Sequence, residues 1–319
     1  TLLFDIGRLK WDAELADLFG VPLVTLPEVR PSSGRLAVTA PGVVPGLPAG
    51  VPISGVAGDQ QAALFGQACF APGMTKNTYG TGSFVLMNVG DRRPDPVDGL
   101  LTTVAWSLDN PRRVDYALEG AIFITGAAVQ WLRDGLGLIP DSGAVGPLAA
   151  TVTDSNGAYF VPALTGLGSP WWDPHARGTI VGLTRGVTAA HLARAVVESM
   201  AYQTRDVIET MTAASGRRLS ELRVDGGASV MRLLLQTQSD HLGVPVVRSA
   251  VQDTTALGAA FLAGLAEGTW GSLDDISAAW ASDARAEPAA DPAAVQLGYD
   301  GWRRAVERAR DWSNAATDP

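Results

Sequence analysis

Residues 221–249, ELRVDGGASVMRLLLQTQSDHLGVPVVRS, run from a strand-like segment through paired glycines into a helix and out into a second strand. Strand and helix alternate across that turn, which selects a layered α/β architecture. The alternation recurs along the chain. A helix is expected over residues 9–20, then a Pro-, Gly- and Ser-rich loop, PEVRPSSGRLAVTAPGVVPGLPAG. A strand at Val51–Ala57 and a helix at Gln60–Phe70 follow. Thr75–Tyr79 and Phe84–Val89 read as two strands around a Gly-Thr-Gly turn, a hairpin signal. Leu100–Ser107 and Val114–Leu118 read as strands, and Ala121–Arg133 as a helix with Ile122, Gly126, Val129 and Leu132 on one face.

Further on, Tyr159–Leu164 is a strand and Ala190–Met211 a long helix with Leu192, Val196, Met200 and Val207 at helical spacing. TTALGAAFLAGLAEG is a small-residue helix ending at Gly268. A last amphipathic helix after EPAADP carries Tyr299, Trp302, Val306, Ala309 and Trp312.

Composition limits the function classes. The 319 residues are 46% hydrophobic and 18% charged, with a net charge of −9. An acidic chain without a basic run is a poor nucleic-acid or anionic-membrane binder, although a nucleotide needs only a local cradle of N–H groups. No stretch approaches 18 uninterrupted apolar residues, so no membrane-spanning helix is expected. The first twenty residues, TLLFDIGRLKWDAELADLFG, lack the apolar core of a signal peptide. Cys69 is the single cysteine, which fits a reducing cytoplasm. The chain opens without Met directly into an apolar stretch, and reads as a piece of something longer.

Three local features invite chemistry. Asp59, in GVAGDQQAALFGQACF, stands where a strand passes into a helix. It is a good helix N-cap, because its side chain accepts a first-turn N–H, and it is also a candidate base. Gly80-Thr81-Gly82 is either an ordinary hairpin turn or a backbone that closely approaches a phosphate. Gly226 and Gly227 bring a strand into a helix whose N-terminus suits an anion, or serve tight packing alone. GxxxxGK[ST] is absent, as is GxGxxG at a strand–helix junction. His175, His191 and His241 are scattered, and no GxSxG elbow is present, so neither a zinc site nor a serine hydrolase triad is expected.

GDQQAALFGQACFAPGMTKNTYGTGSFVLMN, LLTTVAW, YALEGAIFITGAAVQWLRDGLGLI, WWDPHARGTIVGLTRGVTAAHLARAVVESMAYQTRDV, LRVDGGAS and TTALGAAFLAGLAEG, in that order, closely resemble the FGGY carbohydrate kinases, within the actin/hexokinase-like ATPase superfamily. The resemblance runs from end to end, and GDQQ with WDP-x-ARG points to the members that act on glycerol.

The resemblance implies an actin/hexokinase-like (ribonuclease H-like) α/β fold, with residues 1–66 the end of lobe one and residues 67–319 the whole of lobe two. It implies transfer of phosphate from ATP, with Mg²⁺, to glycerol, giving sn-glycerol 3-phosphate in the cytoplasm. Asp59 matches the family's general base, Gln60 a hydrogen-bonding partner of the polyol, and Phe84 a residue packing on its carbons. Gly80 and Thr81 match the phosphate turn, Gly126 and Gln130 a helix along the nucleotide pocket, and Gly227 the glycine beside the adenine. Met231 stands where the family usually carries Asn, and thioether cannot make an amide's hydrogen bonds. The first phosphate loop and half of the polyol grip are expected on a first lobe outside this chain, in the same or a separate polypeptide. A non-catalytic nucleotide- or partner-binding remnant and a kinase of another small polyol are the rival readings. Homo-oligomerisation is left open.

Overall fold

The strand Ser83–Gly90 is buried on both sides: Val85 and Met87 enter one apolar cluster and Leu86 another. A strand with no polar face needs helices on both sides of its sheet. In the computed structural model, which describes residues 2–109 and 112–313, that is the arrangement found.

Nine strands make one mixed sheet: β1 (Ser33–Val38), β2 (Pro52–Gly55), β3 (Thr75–Tyr79), β4 (Ser83–Gly90), β5 (Leu101–Asp109), β6 (Arg112–Ile122), β7 (Leu222–Asp225), β8 (Val246–Ser249) and β9 (Ser282–Ala286). Their spatial order is β9-β8-β7-β3-β4-β6-β5-β1-β2. β3, β7 and β8 are parallel, whereas β3–β4, β4–β6 and β6–β5 are antiparallel.

On one face lie α1 (Asp59–Gly66) and, later in the chain, the helix Thr254–Ala266, packed by Leu64, Phe65, Phe261 and Leu262 on Leu86 and Trp106. The two helices cross backbone to backbone. A Cβ on Gly258 would stand 1.8 Å from the Ala62 carbonyl oxygen, and one on Gly66 would stand 2.0 Å from that of Thr254. The other face is covered by the long helix Ala189–Ser215 and by Arg232–Leu242, through Val196, Met200, Val207, Leu234 and Leu235. The final helix, Pro292–Ala309, docks on the long helix: Tyr299 Oη donates to Asp206 Oδ1 at 2.5 Å and Trp302 Nε1 to Oδ2 at 2.8 Å. Among the described residues, no helix is long and apolar enough to cross a membrane.

Several elements depart from the sequence expectations. The Pro- and Gly-rich segment expected as loop contains β1, held in the sheet between β5 and the edge strand β2. The helix expected at 121–133 is divided. Ala121 and Ile122 complete β6, paired with Phe84 and Ser83, so Ile122 and Gly126 share no helical face. Helix α2 is only Gly126–Gln130, continued by a wider turn over Trp131–Gly135. The first helix shortens to Ala13–Leu18, and Trp312 lies beyond the last helix, 71% exposed. The paired glycines open a short 3-10 turn, Gly227–Val230, and the α-helix begins only at Arg232.

Candidate active site

The turn Gly80–Gly82 between β3 and β4 is shaped by close backbone approach. Gly80 N–H donates to the Gly82 carbonyl at 2.8 Å, and a Cβ on Gly82 would lie 2.3 Å from the Ile122 oxygen. The N–H groups of Thr125, Gly126 and Ala127 donate to the carbonyls of Thr81, Gly80 and Thr81 at 2.9, 3.0 and 3.0 Å. The start of α2 is therefore bound to the hairpin turn. Gly126 permits it, since a Cβ there would be 2.6 Å from the Gly80 oxygen.

The two glycines after β7 have different duties. Gly226 has φ +84, and its Cβ would meet the Tyr79 oxygen at 2.4 Å, so the turn itself requires glycine there. A Cβ on Gly227 would meet nothing within 4 Å. That open space belongs to a cavity of about 330 Å³ lined by Gly80, Thr81, Gly126, Gln130, Gly227 and Met231, with Tyr79, Val129 and Val145 as apolar wall. The size lies within the range of roughly 300–1,000 Å³ found for small-molecule sites. Met231 packs its thioether against Gly146, where a Cβ would come within 3.3 Å of the sulfur.

On the α1-facing side of the same hairpin, polar groups gather near the start of α1. Asp59 is the first residue of α1 and exposed; Gly58 holds the N-cap position, so the carboxylate does not cap the helix. Asp59 Oδ1 accepts the Gln60 N–H at 2.8 Å, and Oδ2 lies 3.3 Å from Gln60 Nε2. Gln60 Oε1 accepts from Lys76 Nζ at 2.5 Å, and Lys76 also donates to Thr78 Oγ1 at 2.9 Å. Phe84 stands across the hairpin from Thr78, half-buried against the α1 cluster.

Lys76 is fully buried. Burial lowers its pKa to about 8, against the opposing pull of Asp225, Glu119, Cys69 and Asp59. Burial likewise raises the Glu119 carboxyl, while Lys76 lowers it and Asp59 raises it further. Asp225, buried at the end of β7, accepts from Gln67 Nε2 at 2.7 Å and Thr254 Oγ1 at 2.5 Å. The hairpin thus carries two surfaces. Its turn borders the cavity, and Lys76 on its α1-facing side meets Gln60, which in turn contacts Asp59. Sequence reasoning overlooked Lys76, Glu119 and Asp225. A lysine in the strand-like run MTKNTY was the one available signal, because strands of this sheet bury both faces and buried lysines are rare.

Residues 75–267 match the C-terminal domain of the FGGY family of carbohydrate kinases, and residues 1–66 match its N-terminal domain. Among curated proteins, glycerol kinase of Chromobacterium violaceum is 55% identical over 317 residues, 98% of this chain and 62% of the relative. Glycerol kinase of Thermus thermophilus is 55% identical over 309 residues, 97% of this chain and 62% of the relative. Among solved structures, Plasmodium falciparum glycerol kinase with ADP superposes with a TM-score of 0.89 at 35% identity, covering 97% of this chain and 61% of that one. Xylulose kinase from Rhodospirillum rubrum superposes at 0.78 with 25% identity, covering 96% and 61%. The architecture is that of the actin/hexokinase-like phosphotransferases. More narrowly, the chain belongs to the FGGY family of carbohydrate kinases, and it spans about 62% of the length of the curated relatives it matches.

Proposed function

We propose that this chain forms the second-lobe side of a glycerol kinase, which transfers the γ-phosphoryl group of ATP to a terminal hydroxyl of glycerol. One observation carries the reading. Residues scattered from Gly80 to Met231 line a single cavity, and the hairpin at its rim is linked through Lys76 and Gln60 to an exposed carboxylate, Asp59. The identity to glycerol kinases supports glycerol over xylulose as the acceptor.

In this reading the nucleotide occupies the cavity, with its base beside Gly227 and Met231 and its phosphates toward Gly80 and Thr81. Gly126 and Gln130 line the same side. Met231 offers the base a packing surface and no amide hydrogen bonds. Asp59 takes the hydroxyl proton as the phosphoryl group arrives, Gln60 hydrogen-bonds the polyol, and Phe84 covers its carbon chain. A positioned base of this kind supplies about 10²–10⁴ in rate. Mg²⁺ enters with ATP as part of the substrate. Among the described residues no group of three His, Cys, Asp or Glu side chains could hold a metal ion. Mg²⁺ bound mainly through phosphates and water needs only one or two carboxylates.

We assign residues 1–66 to the end of lobe one and residues 67–319 to lobe two, with the sheet continuous across that boundary. The remaining half of the acceptor site and the first phosphate loop are assigned to further lobe-one residues. The single cysteine, Cys69, buried in the fold, supports a reducing, cytoplasmic setting.

The test is a coupled ADP-release assay with glycerol, ATP and Mg²⁺. The full-length protein is expected to turn over at about 1–100 s⁻¹, and residues 1–319 alone at far below that. Full-length protein that binds ADP without turning over any polyol would establish the non-catalytic reading. A clear preference for another polyol would reassign the acceptor, and full turnover by residues 1–319 would remove the need for further lobe-one residues.

A further inference from the structure

We propose that Lys76 is a positioning residue for the acceptor site: its ammonium fixes the side-chain amide of Gln60 so that the amide N–H₂ is held toward Asp59. The inference rests on the assignment of Asp59 as the base. An ammonium has only donors, so the Gln60 group facing Lys76 at 2.5 Å must be the amide oxygen. The nitrogen must then point the other way, where Asp59 Oδ2 lies at 3.3 Å. Thr78 Oγ1, at 2.9 Å, anchors the ammonium on its own strand and leaves it little freedom to follow a moving partner. Lys76, Gln60 and Asp59 thus form a chain from the buried sheet to an exposed carboxylate. A glutamine in water would sample both amide orientations; here one is selected.

The cost of burying the ammonium argues for a role beyond packing. An unpaired buried charge is strongly unfavourable, and Lys76 makes no ion pair within 4 Å among those the structure shows. Its charge is compensated at longer range by Asp225 on β7, Glu119 on β6, and Asp59 at the start of α1. Its lateral neighbour on β7, Arg223, turns its guanidinium away, toward Glu221 and the Gln67 carbonyl. Cys69, just beyond α1, completes the titratable groups around it. With a pKa lowered to about 8, Lys76 is largely charged at neutral pH. Above that pH the neutral amine gains a lone pair, accepts as well as donates, and no longer dictates which end of the amide faces it.

The experiment uses the full-length protein and the variants Lys76→Met, Gln60→Ala and the double variant. Neutron crystal structures of the parent and Lys76→Met, in which amide nitrogen and oxygen are distinguished, are compared first: Gln60 Nε2 is expected to leave Asp59 in the variant. An unmoved amide overturns the proposal, and this readout does not depend on whether glycerol is the substrate. In steady-state kinetics with glycerol and ATP, Lys76→Met is expected to lower kcat by roughly 10²-fold while ADP affinity, read calorimetrically, is unchanged. The double variant should fall no further than the lower single variant, because Lys76 acts through Gln60. Multiplying losses would show that it acts otherwise. The parent's kcat should decline as pH passes about 8, and Lys76→Met should lack that limb. Should Lys76→Met not fold, Lys76→Arg, which keeps a donor-only cation, is expected to preserve the amide orientation; an amide reversed in that variant overturns the proposal. A parent protein with no glycerol turnover would refute the assignment of function and leave the crystallographic comparison to decide this one.

Discussion

Replacing Gly227 by Val separates a ligand role from a folding role at one position. Gly227 carries no positive φ, and a Cβ there meets no protein atom within 4 Å. The added isopropyl group therefore enters the 330 Å³ cavity without disturbing the turn. A single extra methylene in a binding pocket is worth about 1–3 kcal/mol, or 10–200-fold. Three carbons placed where the adenine plane should lie are expected to weaken ADP binding by at least 10²-fold, about 2.7 kcal/mol. Stability should change by no more than about 1 kcal/mol, because no contact is strained and a less flexible residue restricts the unfolded chain. In a protein of this size or longer that is a melting shift of no more than roughly 2 °C. Gly226→Ala is the opposite control: φ +84 and a Cβ 2.4 Å from the Tyr79 oxygen predict a large loss of stability. Calorimetric titration with ADP and melting curves, on the full-length protein, give both quantities. A Gly227→Val protein that binds ADP like the parent refutes the reasoning, and so does one that unfolds like Gly226→Ala.

Three further outcomes are expected. Asp59→Asn should lower kcat by roughly 10² or more with little change in melting temperature, since Gly58 holds the N-cap position and a first-turn charge contributes only about 0.3–1 kcal/mol; retention of most of the parent kcat would remove Asp59 as the base. Gly258→Ala should destabilise by about 3 kcal/mol or more, because its methyl group would sit 1.8 Å from the Ala62 oxygen; an unchanged melting curve would contradict the crossing of those helices. Asp206 is raised from 3.8 to about 6, chiefly by burial, with Tyr299 and Trp302 pulling the other way. A raised acid binds more protons folded than unfolded, so its contribution is full below about pH 4 and is lost as pH rises through about 6, a change of about 3 kcal/mol. The stability of Asp206→Asn relative to the parent should therefore rise between pH 4 and 7, and a flat difference in denaturant titrations would refute the assignment.

Local spacing made the elements that carry their own pattern legible. The long helix over Ala189–Ser215, the hairpin of β3 and β4, and the strand–glycine–helix join after Leu222 each repeat a short-range rule of apolar period or turn chemistry. The ordered motifs from GDQQ to TTALGAA likewise identified the family and named the residues that line the cavity.

What remained hidden depends on partners distant in sequence. β1 lies in a segment whose prolines and glycines read as loop, and it becomes a strand because β2 and β5 supply its hydrogen bonds. Ala121 and Ile122 fit a helical face in sequence, yet pairing with Phe84 and Ser83 keeps them in β6. The two adjacent glycines look alike as letters; only the carbonyl of Tyr79 beneath one and the cavity above the other distinguish Gly226 from Gly227. Lys76 is one charge in a polar-looking strand until α1 closes over it and brings Gln60 to its ammonium. Propensity and period act over a few residues and are written in the chain, whereas burial and electrostatic neighbourhood exist only once the sheet has both of its helical layers.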